Sequence, residues 1–150
     1  MITAGDLMTK EVVSVNKDTP IYEALGLLRK NDITGMPVIE DDMTLVGVIT
    51  EKDVLDLFYA EGDDQNKTVE FFMTQPAVSF GEDESLKSVC DFLMVKHFRR
   101  VPVVSTKGKL VGIISRPDII DYILIQRQMY IQSHSETNLI RPVTYTRELS

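Results

Sequence analysis

The chain has 150 residues, enough for one domain or for two small halves packed together, and needs no disulfide or metal staple at that size. Sixteen Lys and Arg against 23 Asp and Glu leave a net charge of −7, which argues against a nucleic-acid backbone or an anionic membrane as main partner. A single cysteine, Cys90, excludes an internal disulfide and a multi-thiolate zinc centre. No apolar run approaches a membrane span, and Met1–Asp6 lack a signal-peptide pattern, so a reduced, cytoplasmic setting is expected.

In chain order, the elements come in two matching sets. An apolar strand is predicted at Val12–Val15, then a helix opened by Asp18-Thr19-Pro20, a capping residue followed by proline, with Leu25, Leu27 and Leu28 on its apolar side. Two strands follow, Met36–Ile39 and Leu45–Ile49, split by the turn Glu40-Asp41-Asp42, and a helix begins near Thr50. After the solvated linker 61–67 the order recurs. The strand is Ala77–Phe80, and the helix opens at Glu84-Ser85 and carries Leu86, Val89, Cys90 and Leu93. The strands Val101–Val104 and Leu110–Ile114 come next, then a helix from Ser115 that runs on through Ile131. The tail from Ser133 is polar apart from Leu139-Ile140 and Val143.

Sliding the sequence by 65 positions makes the repetition explicit. Met8-Thr9 falls on Met73-Thr74, Pro37-Val38 on Pro102-Val103, and Leu45-Val46-Gly47 on Leu110-Val111-Gly112. Between Thr3/Thr68 and Ala60/Ile125 there are 15 identities in 58 ungapped pairs, which marks a duplication. Two copies are too few for a solenoid, so a pseudo-two-fold pair is expected. The division is 1–60, linker 61–67, 68–125, and a helical extension and tail at 126–150.

The sharpest chemical signal is Gly47-Val48-Ile49-Thr50-Glu51-Lys52-Asp53, repeated as Gly112-Ile113-Ile114-Ser115-Arg116-Pro117-Asp118. A hydroxyl residue at a strand end, with a carboxylate three positions on, is the pattern of a helix capping box. The same geometry suits a nucleotide: a helix N-terminus offers N–H groups to phosphate, and a carboxylate one turn in accepts ribose hydroxyls. Both readings stand at this point. His97 and His134 have no ligand partners at metal spacing, and Cys90 lies on an apolar stripe. The methionines, apart from Met36, read as core filler. No phosphate-binding glycine loop or nucleophile–base pair is present, so no enzyme is expected.

Each half resembles a cystathionine-β-synthase-type (CBS) domain, and the tandem resembles a Bateman module. The resemblance lies in Asp6-Leu7-Met8-Thr9, Thr34–Val38 and Gly47–Asp53, then in Phe72-Met73-Thr74, Phe98–Val104 and Gly112–Asp118. It implies a mixed α/β (α+β) fold of two βαββα units packed through their sheets, with two clefts for AMP, ADP, ATP or S-adenosylmethionine, and commonly a homodimer. Position by position, it implies that Asp53 and Asp118 hold ribose, and that Thr50 and Ser115 reach ribose or phosphate. Thr9, Val12 and Val13 would line the base pocket on the Asp118 side, with Thr74, Ala77 and Val78 on the Asp53 side. Arg99, Arg100 and Arg116 would favour a phosphorylated ligand. The function so implied is a non-enzymatic sensor read out by another protein; a scaffold with empty clefts is the alternative. The apolar last helix points the same way on oligomerisation.

Overall fold

The computed structural model describes residues 1–62 and 66–135. Each half forms a three-stranded sheet: β1 (Val15–Asn16), β2 (Gly35–Ile39) and β3 (Leu45–Thr50) in one, β4 (Phe80–Gly81), β5 (Arg100–Val104) and β6 (Leu110–Ser115) in the other. The first strand of each sheet runs parallel to the middle one, which pairs antiparallel with the last. The parallel step requires a crossover, made by α2 (Ile21–Lys30) and α4 (Leu86–Val95). Register repeats as well: Val38 faces Gly47, Val103 faces Gly112, and both ladders shift at the following residue.

The two crossover helices bury matching positions, Ile21, Ala24 and Leu28 on α2 and Leu86, Val89 and Leu93 on α4, at the spacing of one helical face. Ser85 caps α4 as expected, accepting from the Ser88 N–H. Neither Asp18 nor Thr19 caps α2. Pro20 holds that place without a side-chain bond, while the Asp18 N–H donates to Asn16 Oδ1. The Ile21 N–H donates instead to the Lys67 carbonyl at 3.0 Å.

The first strands are shorter and later than expected. Residues 12–14 and 77–79 stay outside the ladder, with Val13 and Val78 36% and 46% exposed. These segments turn aside because Thr9 and Thr74 bridge to the opposite sheets, at Ile113 and Val48. The closing helices differ too. In the first half α3 (Glu51–Val54) tightens into a 3₁₀ turn at Leu55–Tyr59, whereas α5 (Arg116–Ser133) continues as one helix.

Each half is completed by the opening segment of the other. The helical turn α1 (Ala4–Leu7) packs Ala4, Leu7 and Met8 into the second core, with Leu86, Val89, Val101, Val103 and Ile114. The 3₁₀ turn Val69–Phe71 and the residues after it place Val69, Phe72 and Met73 in the first core, with Ile21, Met36, Val38 and Ile49. Backbone bonds fix the exchange: Ala4 to Glu84 and Leu86 to Ile2 on one side, Val69 to Thr19 and Ile21 to Lys67 on the other. The turns between strands also meet, through the Thr44–Lys109 bridge and an ion pair of 2.8 Å from Lys109 to Asp42.

Cys90 is half-buried against the second core. The methionines divide: Met36 is fully buried and Met8 and Met73 pack on the cores, but Met43, Met94 and Met129 are exposed, so they are not core filler. The expected contributions of Leu139, Ile140 and Val143 lie outside the described residues. Among the described residues no helix is long and apolar enough to cross a membrane.

Candidate functional site

Both hydroxyl-to-Asp motifs form complete capping boxes. The Asp53 N–H donates to Thr50 Oγ1 at 3.4 Å, and the Thr50 N–H returns to Asp53 Oδ2 at 2.9 Å. The matching distances between Ser115 and Asp118 are 3.3 and 2.8 Å. The next N–H of each helix is also engaged, Glu51 to the Thr34 carbonyl and Arg116 to that of Arg99. Pro117 has no N–H to give. The first turn of α5 therefore has no spare amide for a phosphate.

What the caps leave over is the second oxygen of each carboxylate. Asp118 Oδ1 lies 3.4 Å from Thr9 Oγ1, and Asp53 Oδ1 accepts from Thr74 Oγ1 at 3.0 Å. Each threonine is fixed by a reciprocal backbone pair, Thr9 with Ile113 at 2.8 and 2.9 Å, and Thr74 with Val48 at 2.9 and 3.0 Å. The exchanged arms thus carry Thr9 to Asp118 and Thr74 to Asp53.

A cleft of about 230 Å³ opens beside Asp118. Thr9, Glu11, Val12, Val13, Ile33 and Gly35 line it from the first half, and Arg100, Ile113, Ser115 and Asp118 from the second. Val12, Val13 and Ile33 give it an apolar wall on which a flat ring can lie, while Ser115, Asp118 and Arg100 give it a polar end. Arg100 lines the cleft, and its Nε is buried without a hydrogen-bond partner, a costly state for a guanidinium. A broader depression of about 380 Å³, walled by Asn16, Lys17, Asp18, Glu40, Asp41 and Asp42, lies elsewhere on the first half.

Of the residues expected from sequence, Thr9, Val12, Val13, Arg100, Ser115 and Asp118 come together in the cleft. Thr50, Asp53 and Thr74 meet at the second carboxylate, with Ala77 half-buried and Val78 exposed further along the same arm. Arg99 is exposed and does not line the cleft. Arg116 turns away: its guanidinium donates to the Leu93 and Lys96 carbonyls at 3.3 and 3.1 Å, satisfying the end of α4. Glu11, Ile33, Gly35 and Ile113 were not expected at the cleft. The repeat carried a signal for one of them, since Gly35 occupies the place that Arg100 takes in the second copy. Among the described residues no group of three or more His, Cys, Asp or Glu side chains could hold a metal ion.

The CBS domain family model matches residues 4–60 and again 69–125. The chain belongs to the CBS-domain family. The CBS pair is 31% identical over 147 residues to the chloroplastic CBS domain-containing protein CBSX2 of Arabidopsis thaliana, covering 79% of this chain and 62% of that protein. It superposes on a crystal structure of CBSX2 in complex with AMP with a TM-score of 0.76 and 34% identity, covering 85% of this chain and 99% of that one. The CBS domain pair of protein MJ0100, in complex with 5′-methylthioadenosine and S-adenosyl-L-methionine, gives a TM-score of 0.67 at 27% identity, covering 83% and 97%. An inosine-5′-monophosphate dehydrogenase of Methanocaldococcus jannaschii is 30% identical over 130 residues, 87% of this chain and 24% of its own. The chain spans about a quarter to three fifths of the length of the first curated relatives it matches.

Proposed function

We propose that this CBS pair is a non-enzymatic regulatory module that binds an adenosine-containing ligand (AMP, ADP, ATP or S-adenosylmethionine) in the cleft between its halves. The observation that carries the reading is the Asp118 carboxylate, with one oxygen beyond its cap, facing a cleft built from both halves. Asp118 and Ser115 take the ribose, Val12, Val13 and Ile33 hold the base, and Arg100 takes the anionic part of a nucleotide. The AMP complex of CBSX2 and the adenosyl complexes of MJ0100 support the ligand class.

A ligand touching both halves biases their relative angle only if it binds one arrangement better than another. The readout is then a second copy, a downstream protein, or both. Exposed apolar residues support a homodimer: Leu55, Phe58 and Tyr59 after α3, and Ile120, Ile123 and Leu124 on α5. The lone half-buried thiol suits a reducing, cytoplasmic compartment.

The test is thermal unfolding with and without each nucleotide. At a hundred times its dissociation constant a ligand adds about 2.7 kcal/mol, a rise of roughly 5–10 °C at this chain length. Asp118→Ala abolishes the rise and Glu51→Ala keeps it, while ATP turnover stays at background. The completed capping boxes favour a second reading, a dimerisation scaffold without ligand. It gains if no adenine compound at millimolar concentration moves the melt and Asp118→Ala alters stability alone.

A further inference from the structure

We propose that Thr74 blocks ligand binding at Asp53, leaving the chain with one working ligand site, the cleft at Asp118. This rests on the adenosine reading above and asks why two copies of one motif should differ.

The difference lies in where the hydroxyl protons go. At Asp53 both carboxylate oxygens are engaged by the protein itself: Oδ2 accepts from the Thr50 N–H and the Thr50 hydroxyl, each at 2.9 Å, and Oδ1 accepts from Thr74 at 3.0 Å. Those three donors leave one of the roughly four acceptor sites of the carboxylate open, so a ribose diol, which brings two donors, must displace Thr74 to place both. Thr74 yields reluctantly, since its backbone is tied both ways to Val48 and its β-branched side chain has few rotamers. At Asp118 the cap uses Oδ2 alone, and Thr9 approaches Oδ1 only to 3.4 Å, the long edge of hydrogen-bond distance. The Ser115 hydroxyl, unlike that of Thr50, does not spend its proton on the aspartate. Asp118 is left open by the same motif that is closed at Asp53. Arg100 lines the cleft at Asp118, where the first copy has Gly35. A hydrogen bond to a charged acceptor is strong enough for its displacement to cost on the order of ten- to a hundred-fold in affinity.

The experiment is isothermal titration of the full chain with AMP, for the wild type, Thr74→Val and Thr74→Ser. The wild type is expected to bind one AMP per chain tightly, with any second event at least ten-fold weaker. Thr74→Val, which keeps the side-chain shape but loses the proton, tightens the second event about ten-fold and leaves the first unchanged. Thr74→Ser, which keeps the proton, stays close to wild type. Two matched sites in the wild type, or a second event indifferent to Thr74→Val, overturn the block at Asp53 while leaving the adenosine reading intact. Absence of heat with AMP and with S-adenosylmethionine, in both wild type and Thr74→Val, overturns the two together.

Discussion

Gly112→Ala tests the packing between an exchanged arm and the sheet it joins. A Cβ on Gly112 would lie 2.5 Å from Met8 Sδ, 2.7 Å from its Cγ and 2.9 Å from its Cβ. Overpacking of this kind costs about 2 kcal/mol, which lowers the melting temperature of a chain this size by roughly 4–8 °C. Met8→Ala removes Sδ and Cγ, so the double variant should recover at least half of the loss beyond simple addition of the single effects. The repeat supplies its own control. At Gly47 the nearest atom is the Thr74 carbonyl oxygen at 2.8 Å, ahead of Met73 Sδ at 2.9 Å, and that oxygen accepts the Val48 N–H. A methyl group there strikes backbone, and Met73→Ala cannot clear it. Urea denaturation of the two cycles gives the coupling energies directly. Equal rescue at both glycines, or none at Gly112, would refute the proposition that each glycine makes room for the arm of the other half.

Two more outcomes follow from the contacts between halves and the exposed helix. The hydrogen bonds from Lys109 and Thr44 hold the Asp42 carboxyl well below the usual carboxylate range. A depressed folded pKa contributes stability above the unfolded value of about 3.9 and loses it as pH falls. Urea midpoints of the wild type should therefore drop more steeply between pH 5 and 3 than those of Lys109→Met; parallel curves would show that the pair carries no pH-linked stability. Leu124→Glu, at a residue 57% exposed on α5, should shift sedimentation from dimer to monomer without lowering helix content. A wild type that sediments as a monomer at tens of micromolar would remove the homodimer.

The repeat was legible because its most restrictive positions fall where packing leaves no choice. Met-Thr and Leu-Val-Gly recur since Met8 and Met73 lie over Gly112 and Gly47, a contact in which any Cβ forces a neighbour to shift. Hydrogen bonds join Thr9 to Asp118 and Thr74 to Asp53. The exchange of arms was not legible from the residues. Thr3 and Thr68 stand at the same place in two similar copies, and local sequence cannot say which core an arm will enter. Nor did composition reveal how Arg116 is used: its side chain is drawn to the orphan carbonyls of α4, a tertiary contact 20 to 23 residues away in sequence. The strand boundaries slipped for a related reason, because Val12 and Val13 serve as cleft wall and not as ladder.

That mutual lending of first segments bears on how the molecule can be divided. A fragment ending in the linker would keep Ile21, Val38 and Ile49 but lack Val69, Phe72 and Met73, and the complementary fragment would lack Ala4, Leu7 and Met8. Neither fragment could close its hydrophobic interior alone, yet the two mixed together hold every piece. A gene encoding just one such unit would solve the same problem by trading ends with an identical neighbour, so the tandem reads as a former partnership of separate chains now written in a single frame.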